Sequence, residues 1–226
     1  MNAAARIGIL GGTLDPIHLG HLDTALAARD ALALDHVIIL PSRVPPHRHQ
    51  QPLASRYHRF AMAALAVNGV EGLTVSDLEL CAPGPSYTAD TLSRYQAASG
   101  LGASQIFFIT GADVFAEIET WYRYPEVLSL AQFVVVSRPG FPVSGLPARL
   151  PGLAPRMLSV HDAKAAPELA IYLLDATTSN VSSTDIRRRL KAGEPLAGLV
   201  PAAVDTHIRQ HDLYGDSRAD HLHGKD

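Results

Sequence analysis

The fold is decided near the start of the chain by Gly11-Gly12-Thr13-Leu14-Asp15-Pro16-Ile17-His18-Leu19-Gly20-His21. This stretch follows the apolar run Ile7–Leu10 and leads into an alanine-rich segment with helical character. A strand, a glycine turn and a helix start in this order form an anion site, because small residues let backbone N–H groups approach a phosphate and the helix N-terminus adds partial positive charge. The order of residues therefore predicts a turn, containing Gly11 and Gly12, that binds the phosphates of a nucleotide.

Two histidines, His18 and His21, follow the glycine turn at i, i+3 spacing. We expect both on one face of the first helical turn, where their imidazoles can donate hydrogen bonds to phosphate oxygens. Histidines near a helix start can instead cap or pack, and this spacing can also present two imidazoles to a metal ion, although no third ligand stands out in the sequence. The intervening Gly20 keeps the approach to the backbone open, which favours phosphate binding.

The composition is that of a globular protein, with 226 residues of which 47% are hydrophobic and 18% charged. We expect residues 1–215 to form one domain and residues 216–226 to form a disordered tail. The formal net charge of −3 argues against a nucleic-acid binder that relies on bulk positive charge. The single cysteine, Cys81, fits a reducing compartment. The first residues show no basic region followed by an apolar signal core, and no apolar run approaches the roughly 20 residues that span a bilayer. We therefore expect a cytoplasmic protein that contacts no membrane.

Short apolar runs alternate with helical segments along the chain. The predicted strands are Ile7–Leu10, Val37–Leu40, Ile106–Ile109, Phe133–Val136 and Ile171–Leu174. The predicted helices are Leu19–Ala33, Ser55–Val67, Thr88–Ala98, Ala112–Glu119, Thr184–Ala192 and Ala202–Gln210. This alternation indicates an α/β fold, a Rossmann-like doubly wound parallel sheet with helices on both faces, whose ligands bind beyond the carboxyl ends of the strands. The Pro/Gly-rich segment from Pro139 to Pro155 predicts a surface excursion.

A second anion site is predicted near the end of the chain, in Val181-Ser182-Ser183-Thr184-Asp185-Ile186-Arg187. Ser182, Ser183 and Thr184 precede a strongly helical run, and taken alone such residues usually only cap a helix. Their hydroxyls and the N–H groups of the helix start can also bind an anion, and Arg187 lies one turn inside the helix, facing the same end. Two such helix N-termini can hold a polyphosphate between them.

These motifs resemble those of a known family. Thr13–His21 is similar to the signature of the nucleotidylyltransferase superfamily, whose short core is H-x-G-H, and Ser182–Arg187 is similar to its second phosphate motif. More narrowly, the chain resembles the bacterial nicotinate-nucleotide adenylyltransferases nearly from end to end. The narrower resemblance is carried by Pro45-Pro46-His47-Arg48, Pro85-Ser86-Tyr87-Thr88-Ala89-Asp90-Thr91-Leu92, Gly111-Ala112-Asp113 with Trp121, Ser137-Arg138-Pro139-Gly140, and Leu199-Val200-Pro201 to Leu213-Tyr214.

The resemblance implies that two groups of residues bind ATP, one its phosphates and the other its ribose. Phosphate binding would fall to Gly11, Gly12, Thr13, His18, His21, Ser182, Ser183, Thr184 and Arg187. The two histidines would stabilise the charge that builds on the α-phosphate and on the departing pyrophosphate. Gly111 and Asp113 would contact the adenosine ribose, since a carboxylate accepts hydrogen bonds from vicinal hydroxyls.

The resemblance also implies residues for the second substrate, nicotinate mononucleotide. Trp121 would stack on the pyridine ring, because a broad aromatic face suits a flat heterocycle. Tyr87 and Thr88 would help to receive the nicotinate carboxylate. His47 and Arg48 would bind the phosphate of the mononucleotide.

Simpler interpretations stand beside these roles. Trp121 is the only tryptophan and could be a core anchor, Asp113 could be a helix N-cap, and the segment containing Tyr87 and Thr88 could only cap the next helix. The pair His47 and Arg48 could be solvated loop. The remaining chemistry-bearing residues are interpreted as structural: His207 and His211 as surface positions, and Cys81 as inert.

One departure from the family pattern concerns the loop after the second strand. Arg43 lies where relatives often have a small polar residue. A long cation at this position could add a phosphate contact or narrow the entrance to the site.

The reaction that the resemblance implies is adenylyl transfer from ATP to nicotinate mononucleotide, with release of pyrophosphate, in NAD biosynthesis. The sequence shows no Ser or Cys nucleophile beside a base, so positioning and charge stabilisation would supply the catalysis. Mg²⁺ is expected to bridge ATP oxygens and to be held mostly by substrate and water, with no ligand from a protein side chain. The alternatives are a related transferase that acts on nicotinamide mononucleotide or another phosphate acceptor, an aminoacyl-tRNA synthetase of class I, and a non-catalytic nucleotide-sensing module.

Overall fold

The computed structural model describes residues 5–46, 53–160 and 169–215. The strands within these ranges are β1 Ile7–Gly12, β2 His36–Pro41, β3 Leu73–Val75, β4 Ile106–Gly111, β5 Gln132–Val136, β6 Met157–Ser159 and β7 Ile171–Leu174. The helices are α1 Leu19–Leu32, α2 Arg56–Val67, α3 Thr88–Ser99, α4 Ala112–Phe115, α5 Leu146–Arg149, α6 Ser183–Lys191 and α7 Ala202–Gln210. Short 3₁₀ turns, which include Ile118–Thr120, connect several of them.

The strands form one sheet in the order β3-β2-β1-β4-β5-β7-β6, and every pairing in it is parallel. The chain winds outward from β1 in one direction through β2 and β3, and then in the other direction from β4. The strand order therefore reverses between β1 and β4, and a crevice opens there beyond their carboxyl ends. This is a doubly wound, Rossmann-like sheet, as the alternation of runs predicted.

Each face of the sheet has its own apolar core, because successive side chains of a strand point to opposite faces. Leu10 and Val134 belong to a cluster that includes residues of α1, α2, α6 and α7. Their neighbours Ile9 and Phe133 belong to a second cluster with residues of α3, α4 and α5. Burial on both faces explains why the central strands are continuous apolar runs rather than alternating ones.

Two predictions about the elements were wrong. The helix predicted at Ala112–Glu119 ends at Phe115 and continues as the 3₁₀ turn Ile118–Thr120, because a three-residue period places the fully buried Phe115 and Ile118 on one side. The edge strands β3 and β6 were missed, since three residues each show no periodicity. The Pro/Gly-rich segment Pro139 to Pro155 is exposed at most of its positions, as a surface excursion would be, but its leucines and valine are buried in the second cluster.

None of the helices in these three ranges is long and apolar enough to cross a bilayer. The predicted tail, residues 216–226, lies outside the described residues.

Candidate active site

A cavity of about 400 Å³ lies in the crevice between β1 and β4, a volume within the range of small-molecule sites. Nine of the residues predicted to bind substrate line it: Gly11, Gly12, Thr13, His21, Tyr87, Thr88, Gly111, Asp113 and Trp121. Residues of β1, α1, α3 and the β4–α4 junction thus meet although they are up to 110 positions apart in the sequence. The structure thus brings these nine residues, some predicted to bind the mononucleotide and others ATP, to one cleft.

The glycines of β1 have two different roles. A Cβ on Gly8 would lie 2.7 Å from Val37 Cγ2, so this glycine is required by packing inside the sheet. A Cβ on Gly11 or Gly12 would meet neighbouring side chains no closer than 3.4 Å, which is ordinary contact. Packing within the protein therefore does not require glycine at Gly11 and Gly12, and both line the cavity, where small residues leave the backbone accessible to a ligand.

His18 and His21 lie against each other at the start of α1, with ring centroids 3.7 Å apart. His18 is the N-cap residue, with extended backbone, so it precedes the first helical turn on which we had expected both histidines. Its backbone N–H donates to Nδ1 of His21 across 3.2 Å. Because Nδ1 accepts, the proton of the neutral His21 ring is assigned to Nε2. This arrangement gives the cleft an imidazole N–H donor at a helix N-terminus.

His18 is almost fully buried, 2% exposed, and is not among the residues that line the cavity. Burial lowers the pKa of its imidazole to about 3, assisted by the positive charge of Arg138 and opposed by Asp23. His18 is therefore neutral at physiological pH. Its Nδ1 is buried and has no hydrogen-bond partner within the described protein. A buried polar atom of this kind is costly unless a ligand or water satisfies it.

Asp15 holds the segment before His18 in place, a role that sequence reasoning missed. Its carboxylate is 1% exposed and accepts hydrogen bonds from the backbone N–H groups of Leu53 and Ala54 and from the hydroxyl of Tyr214, at 2.8 Å. Burial and the Asp15 carboxylate raise the pKa of Tyr214 well above its ordinary value, so the hydroxyl stays protonated as a donor. Tyr214, at the end of the closing stretch that carried part of the resemblance, thus helps to fix the segment Gly11–His21, which we call the phosphate turn because it is predicted to bind phosphate.

The second predicted anion motif packs against this same segment. Ser182 is the N-cap of α6 and accepts from the N–H of Asp185. Ser183 Oγ donates to the carbonyl of Pro16 at 3.0 Å, and Arg187 Nη1 donates to the carbonyl of Asp15 at 2.6 Å. The N-terminus of α6 is therefore next to that of α1, as the pairing of the two motifs predicted. Ser182, Ser183, Thr184 and Arg187 lie outside the lining of the cavity.

Gly20 is the residue that lets the two helix starts approach. A Cβ at this position would lie 3.0 Å from the carbonyl oxygen of Ser179, in the loop that leads to α6, and 3.2 Å from Nδ1 of His18. Both contacts are tighter than ordinary van der Waals contact. The glycine of the H-x-G-H core is therefore explained by close approach of the backbone of Ser179 and of the His18 ring.

The part of the cleft that is predicted to bind adenosine lies at the end of β4. A Cβ on Gly111 would lie 2.5 Å from Oδ1 of Asp113 and 3.0 Å from Cδ of Arg138, so glycine is required for these side chains to approach. Asp113 Oδ1 is buried with no hydrogen-bond partner in the described structure, and its Oδ2 is 4.0 Å from Arg138. Asp113 thus offers an acceptor to the cleft and is not the N-cap of α4, which is Gly111.

An aromatic wall forms the other end of the cleft. Trp121 packs edge-on against Phe108, with centroids 6.1 Å apart, and Tyr87 stacks on Tyr122 at 4.4 Å. Trp121 is half-buried and lines the cavity, so it is both part of the second apolar cluster and a wall of the site. Thr88 is the first residue of α3, whose N-terminus therefore points into the cleft.

Three further residues near the cleft were not assigned a role from the sequence. Arg138 lines the cavity, although only its tetrapeptide was noticed. Glu79 also lines it, accepts from Thr91 Oγ1 at 2.6 Å, and has its pKa raised by burial. Arg59 is 1% exposed and donates to the carbonyl of Thr13 at 2.7 Å. Nothing local in the sequence marks Arg59 or Glu79, because their roles depend on contacts between distant elements.

The loop after β2 is held differently from what we expected. Arg43 Nη1 donates to the carbonyl of Ala82 at 2.8 Å, and its backbone N–H donates to Oγ of Ser86. The side chain therefore anchors the loop to the segment before α3. His47 and Arg48 lie outside the described residues, so their assignment to the mononucleotide phosphate remains a prediction.

Comparison with known proteins agrees with this geometry. The cytidylyltransferase-like family model matches residues 9–189. A probable nicotinate-nucleotide adenylyltransferase of Roseiflexus sp. is 41% identical over 94% of this chain and 99% of its own length, and one of Thermus thermophilus is 41% identical over 92% and 99%. A third, of Desulfatibacillum aliphaticivorans, is 38% identical over 92% of this chain and 99% of its own length.

Solved structures show the same fold at lower identity. Nicotinic acid mononucleotide adenylyltransferase of Plasmodium falciparum, complexed with NaAD, superposes with a TM-score of 0.70 over 93% of this chain and 97% of its own, at 18% identity. The same enzyme complexed with APC gives 0.67 at 16% identity, with the same coverage. Taken with the full-length relatives, these comparisons show that the chain belongs to the nicotinate-nucleotide adenylyltransferases, within the cytidylyltransferase-like family.

Proposed function

We propose that this chain transfers the adenylyl group of ATP to nicotinate mononucleotide and so forms nicotinate adenine dinucleotide and pyrophosphate. One observation carries the proposal. A single cleft joins a phosphate turn with an imidazole donor, Gly11 to His21, to an aromatic wall that contains Trp121 and Tyr87. A nucleoside triphosphate suits the first end, and a flat pyridine ring suits the second.

The chemical step is an in-line displacement at the α-phosphorus of ATP. An oxygen of the 5′-phosphate of the mononucleotide forms a bond to the α-phosphorus, and the bond to the bridging oxygen of the β-phosphate breaks. Pyrophosphate leaves with that electron pair. The attacking phosphate is already an anion, so the step needs no general base, and the described residues show no Ser or Cys nucleophile paired with a base. Positioning and charge stabilisation then supply the catalysis.

The residues at the two helix starts stabilise that charge. Nε2–H of His21 donates to an oxygen of the α-phosphate. The buried Nδ1 of the neutral His18, which has no hydrogen-bond partner in the described structure, donates to the same phosphate. Arg187 and Ser183 hold the β- and γ-phosphates from the start of α6, which packs on the same turn. Neutral donors in a dry site gain strength as negative charge develops, because few water dipoles compete with them.

The opposite end of the cleft orients both nucleosides. Asp113, whose Oδ1 is buried and unbonded in the described structure, accepts from the ribose hydroxyls of ATP. Trp121 stacks on the pyridine ring, while Tyr87 and Thr88 place the N-terminus of α3 against the nicotinate carboxylate. His47 and Arg48 bind the mononucleotide phosphate.

Magnesium enters as part of the substrate, MgATP. The carboxylates near the phosphate turn do not form a vacant pair of ligands: Asp15 accepts from Leu53, Ala54 and Tyr214, and Asp23 accepts from Ser179. The ion is then held by phosphate oxygens and water, as is usual for Mg²⁺, and it neutralises charge on the phosphates. We further infer a cytoplasmic location and no nucleic-acid partner from the single cysteine and the net charge of −3.

The experiment that tests this function compares acceptors. Pyrophosphate release from MgATP is measured side by side with nicotinate mononucleotide, nicotinamide mononucleotide and phosphopantetheine. We expect the highest kcat/KM with nicotinate mononucleotide, a lower value with the nicotinamide form, and no release with phosphopantetheine, which has no ring to stack on Trp121. A preference for phosphopantetheine, or no release with any acceptor, would overturn the proposal; the second outcome would favour a nucleotide-sensing module.

A further inference from the structure

Three histidines meet where α2 packs against α7. His58 is in the first turn of α2, His207 is in α7, and His211 is the C-cap of α7. The sequence indicated surface positions for His207 and His211, but the fold adds His58, about 150 residues earlier in the chain. Among the residues that the structure describes, this is the group that could hold a metal ion.

The distances suit one small cation. One nitrogen from each of the three rings lies within 4.8 Å of the other two, and Nδ1 of His58 is 3.1 Å from Nε2 of His207. Zinc bonds to imidazole nitrogen at about 2.0–2.1 Å, and in a tetrahedron that bond length separates neighbouring nitrogens by about 3.3 Å. One pair is therefore already near the required separation, and modest ring rotations bring in the third.

The spacing and burial of the three side chains also suit a metal. His207 and His211 are four residues apart, the spacing that presents two imidazoles from one face of a helix. His58 is 9% exposed, His207 is half-buried and His211 is exposed, so a metal here has three protein ligands and an outer position that water can fill.

The chemistry of the ligands selects the class of ion. All three ligands in the group are imidazoles, and imidazole suits zinc and its first-row neighbours, whereas Mg²⁺ and Ca²⁺ prefer oxygen. We propose that His58, His207 and His211 form a Zn²⁺ site that fastens α7 to α2, separate from the magnesium that accompanies ATP. Binding replaces the hydrogen bond between His58 and His207: the ring whose bonding nitrogen carried the proton adopts the other neutral tautomer, so both rings bind the metal as neutral imidazoles.

The site lies on the two elements that hold Asp15. Leu53 and Ala54, just before α2, donate their backbone N–H groups to the Asp15 carboxylate, and Tyr214, just after α7, donates its hydroxyl. A metal that joins His58 to His207 and His211 therefore closes a ring of contacts through Asp15. Its role is to stabilise the fold around the phosphate turn, and we expect it to raise the temperature of unfolding.

The test uses the full chain, stripped of metal with a chelator and carrying Cys81→Ser, because the exposed Cys81 thiol could bind zinc by itself. Zn²⁺ affinity and stoichiometry are measured by calorimetry, and unfolding temperature by circular dichroism. Co²⁺ serves as a spectroscopic probe, since four-coordinate Co²⁺ absorbs strongly in the visible. The key variant is His211→Ala, whose exposed side chain makes misfolding a small risk; His221→Ala/His223→Ala, in the C-terminal tail, is the matched control.

We expect one Zn²⁺ per chain and, at a hundredfold excess over Kd, a rise of about 5–10 °C in the unfolding temperature. His211→Ala should weaken Zn²⁺ binding at least about 100-fold, because loss of a partner that merely orients a ligand already costs 10–100-fold, and should abolish the four-coordinate Co²⁺ spectrum. The tail variant should keep both. Equal binding by His211→Ala and the parent, loss of binding in the tail variant instead, or no binding of Zn²⁺ by the parent would overturn the proposal.

Discussion

The two ends of the cleft differ in the chemistry of the groups that line them. The phosphate end consists of two close-packed histidines, of which His18 is held neutral by burial, and a backbone turn held by hydrogen bonds through Asp15. The aromatic end consists of rings that pack edge-on or stacked, with Trp121 half-buried. Rigid donors suit a place where charge develops during the reaction, and flat apolar faces suit recognition of a ring. The difference predicts that changes at the first end lower kcat and that changes at the second raise KM.

The largest effect is expected from the two histidines. His18→Ala and His21→Ala should each lower kcat about 1000-fold, the loss typical of removing one donor to a developing oxyanion, with a small change in KM for the mononucleotide. Pyrophosphate release measures both constants. His36→Ala, on β2, is the matched control and should retain kcat within about threefold, while circular dichroism verifies folding of all three variants. A folded His18 or His21 variant with kcat near normal would remove that histidine from the mechanism.

A smaller effect is expected on the free energy of unfolding, which should depend on pH because of His18 at the phosphate end. The pKa of His18 is about 3 in the folded protein and about 6.5 when unfolded, so the unfolded state binds more protons between these values. Stability is therefore full above about pH 6.5 and falls as the pH drops toward 3. Between pH 6.5 and 4.5 the loss should be about 2.3 kcal/mol.

Urea unfolding across this pH range checks the prediction. His18→Asn lacks the titrating group and should lose correspondingly less free energy of unfolding over the same interval. If the wild type and His18→Asn show the same pH dependence, then the imidazole is not held neutral by burial.

The helix start that carries the second anion motif should show an intermediate effect. Arg187→Ala removes a charged hydrogen bond to the Asp15 carbonyl and a cation from the phosphate end, and we expect kcat/KM for ATP to fall about 30-fold, equivalent to about 2 kcal/mol. The matched control is Arg188→Ala, which removes ion pairs to Asp185 and Glu194 that are largely exposed. This variant should change kcat/KM for ATP less than about threefold. Equal losses in the two variants would mean that general positive charge, rather than Arg187, matters.

The smallest effect is expected at the aromatic end. Trp121→Ala should raise KM for nicotinate mononucleotide about tenfold, in line with about 1.4 kcal/mol for one aromatic stack, with kcat within about threefold. Trp121→Phe keeps an aromatic face and the packing against Phe108 and Phe133, so it should recover most of that loss. A fall in kcat with no rise in KM would contradict the division between the two ends.

Much of this cleft is predictable from the sequence because its parts are local. The glycine turn, His21 and the N-cap Ser182 each owe their position to a strand or helix boundary that neighbouring residues reveal. The strands β1, β2, β4, β5 and β7 are recognisable because burial on both faces makes them continuous apolar runs.

The rest depends on contacts between distant elements. Asp15 and Tyr214, which share a hydrogen bond, are 199 residues apart in the sequence. Arg59 and Thr13, whose carbonyl accepts from the Arg59 guanidinium, are 46 residues apart. His58 and His207 are 149 residues apart. No local pattern encodes these pairs, because the topology of the sheet alone brings their elements together. The same reason explains why the sequence left the role of Arg43 open between a phosphate contact and a narrower entrance, whereas its guanidinium anchors the loop to Ala82.

One measurement tests the central claim directly: a crystal structure of the protein with a non-hydrolysable ATP analogue, Mg²⁺ and nicotinate mononucleotide. We predict a ring nitrogen of His21 and one of His18 within about 3.2 Å of oxygens on the α- or β-phosphate, Arg187 and Ser183 on the outer phosphates, and the pyridine ring on Trp121. Phosphates bound away from both histidines, or a pyridine ring that does not contact the aromatic wall, would contradict the account.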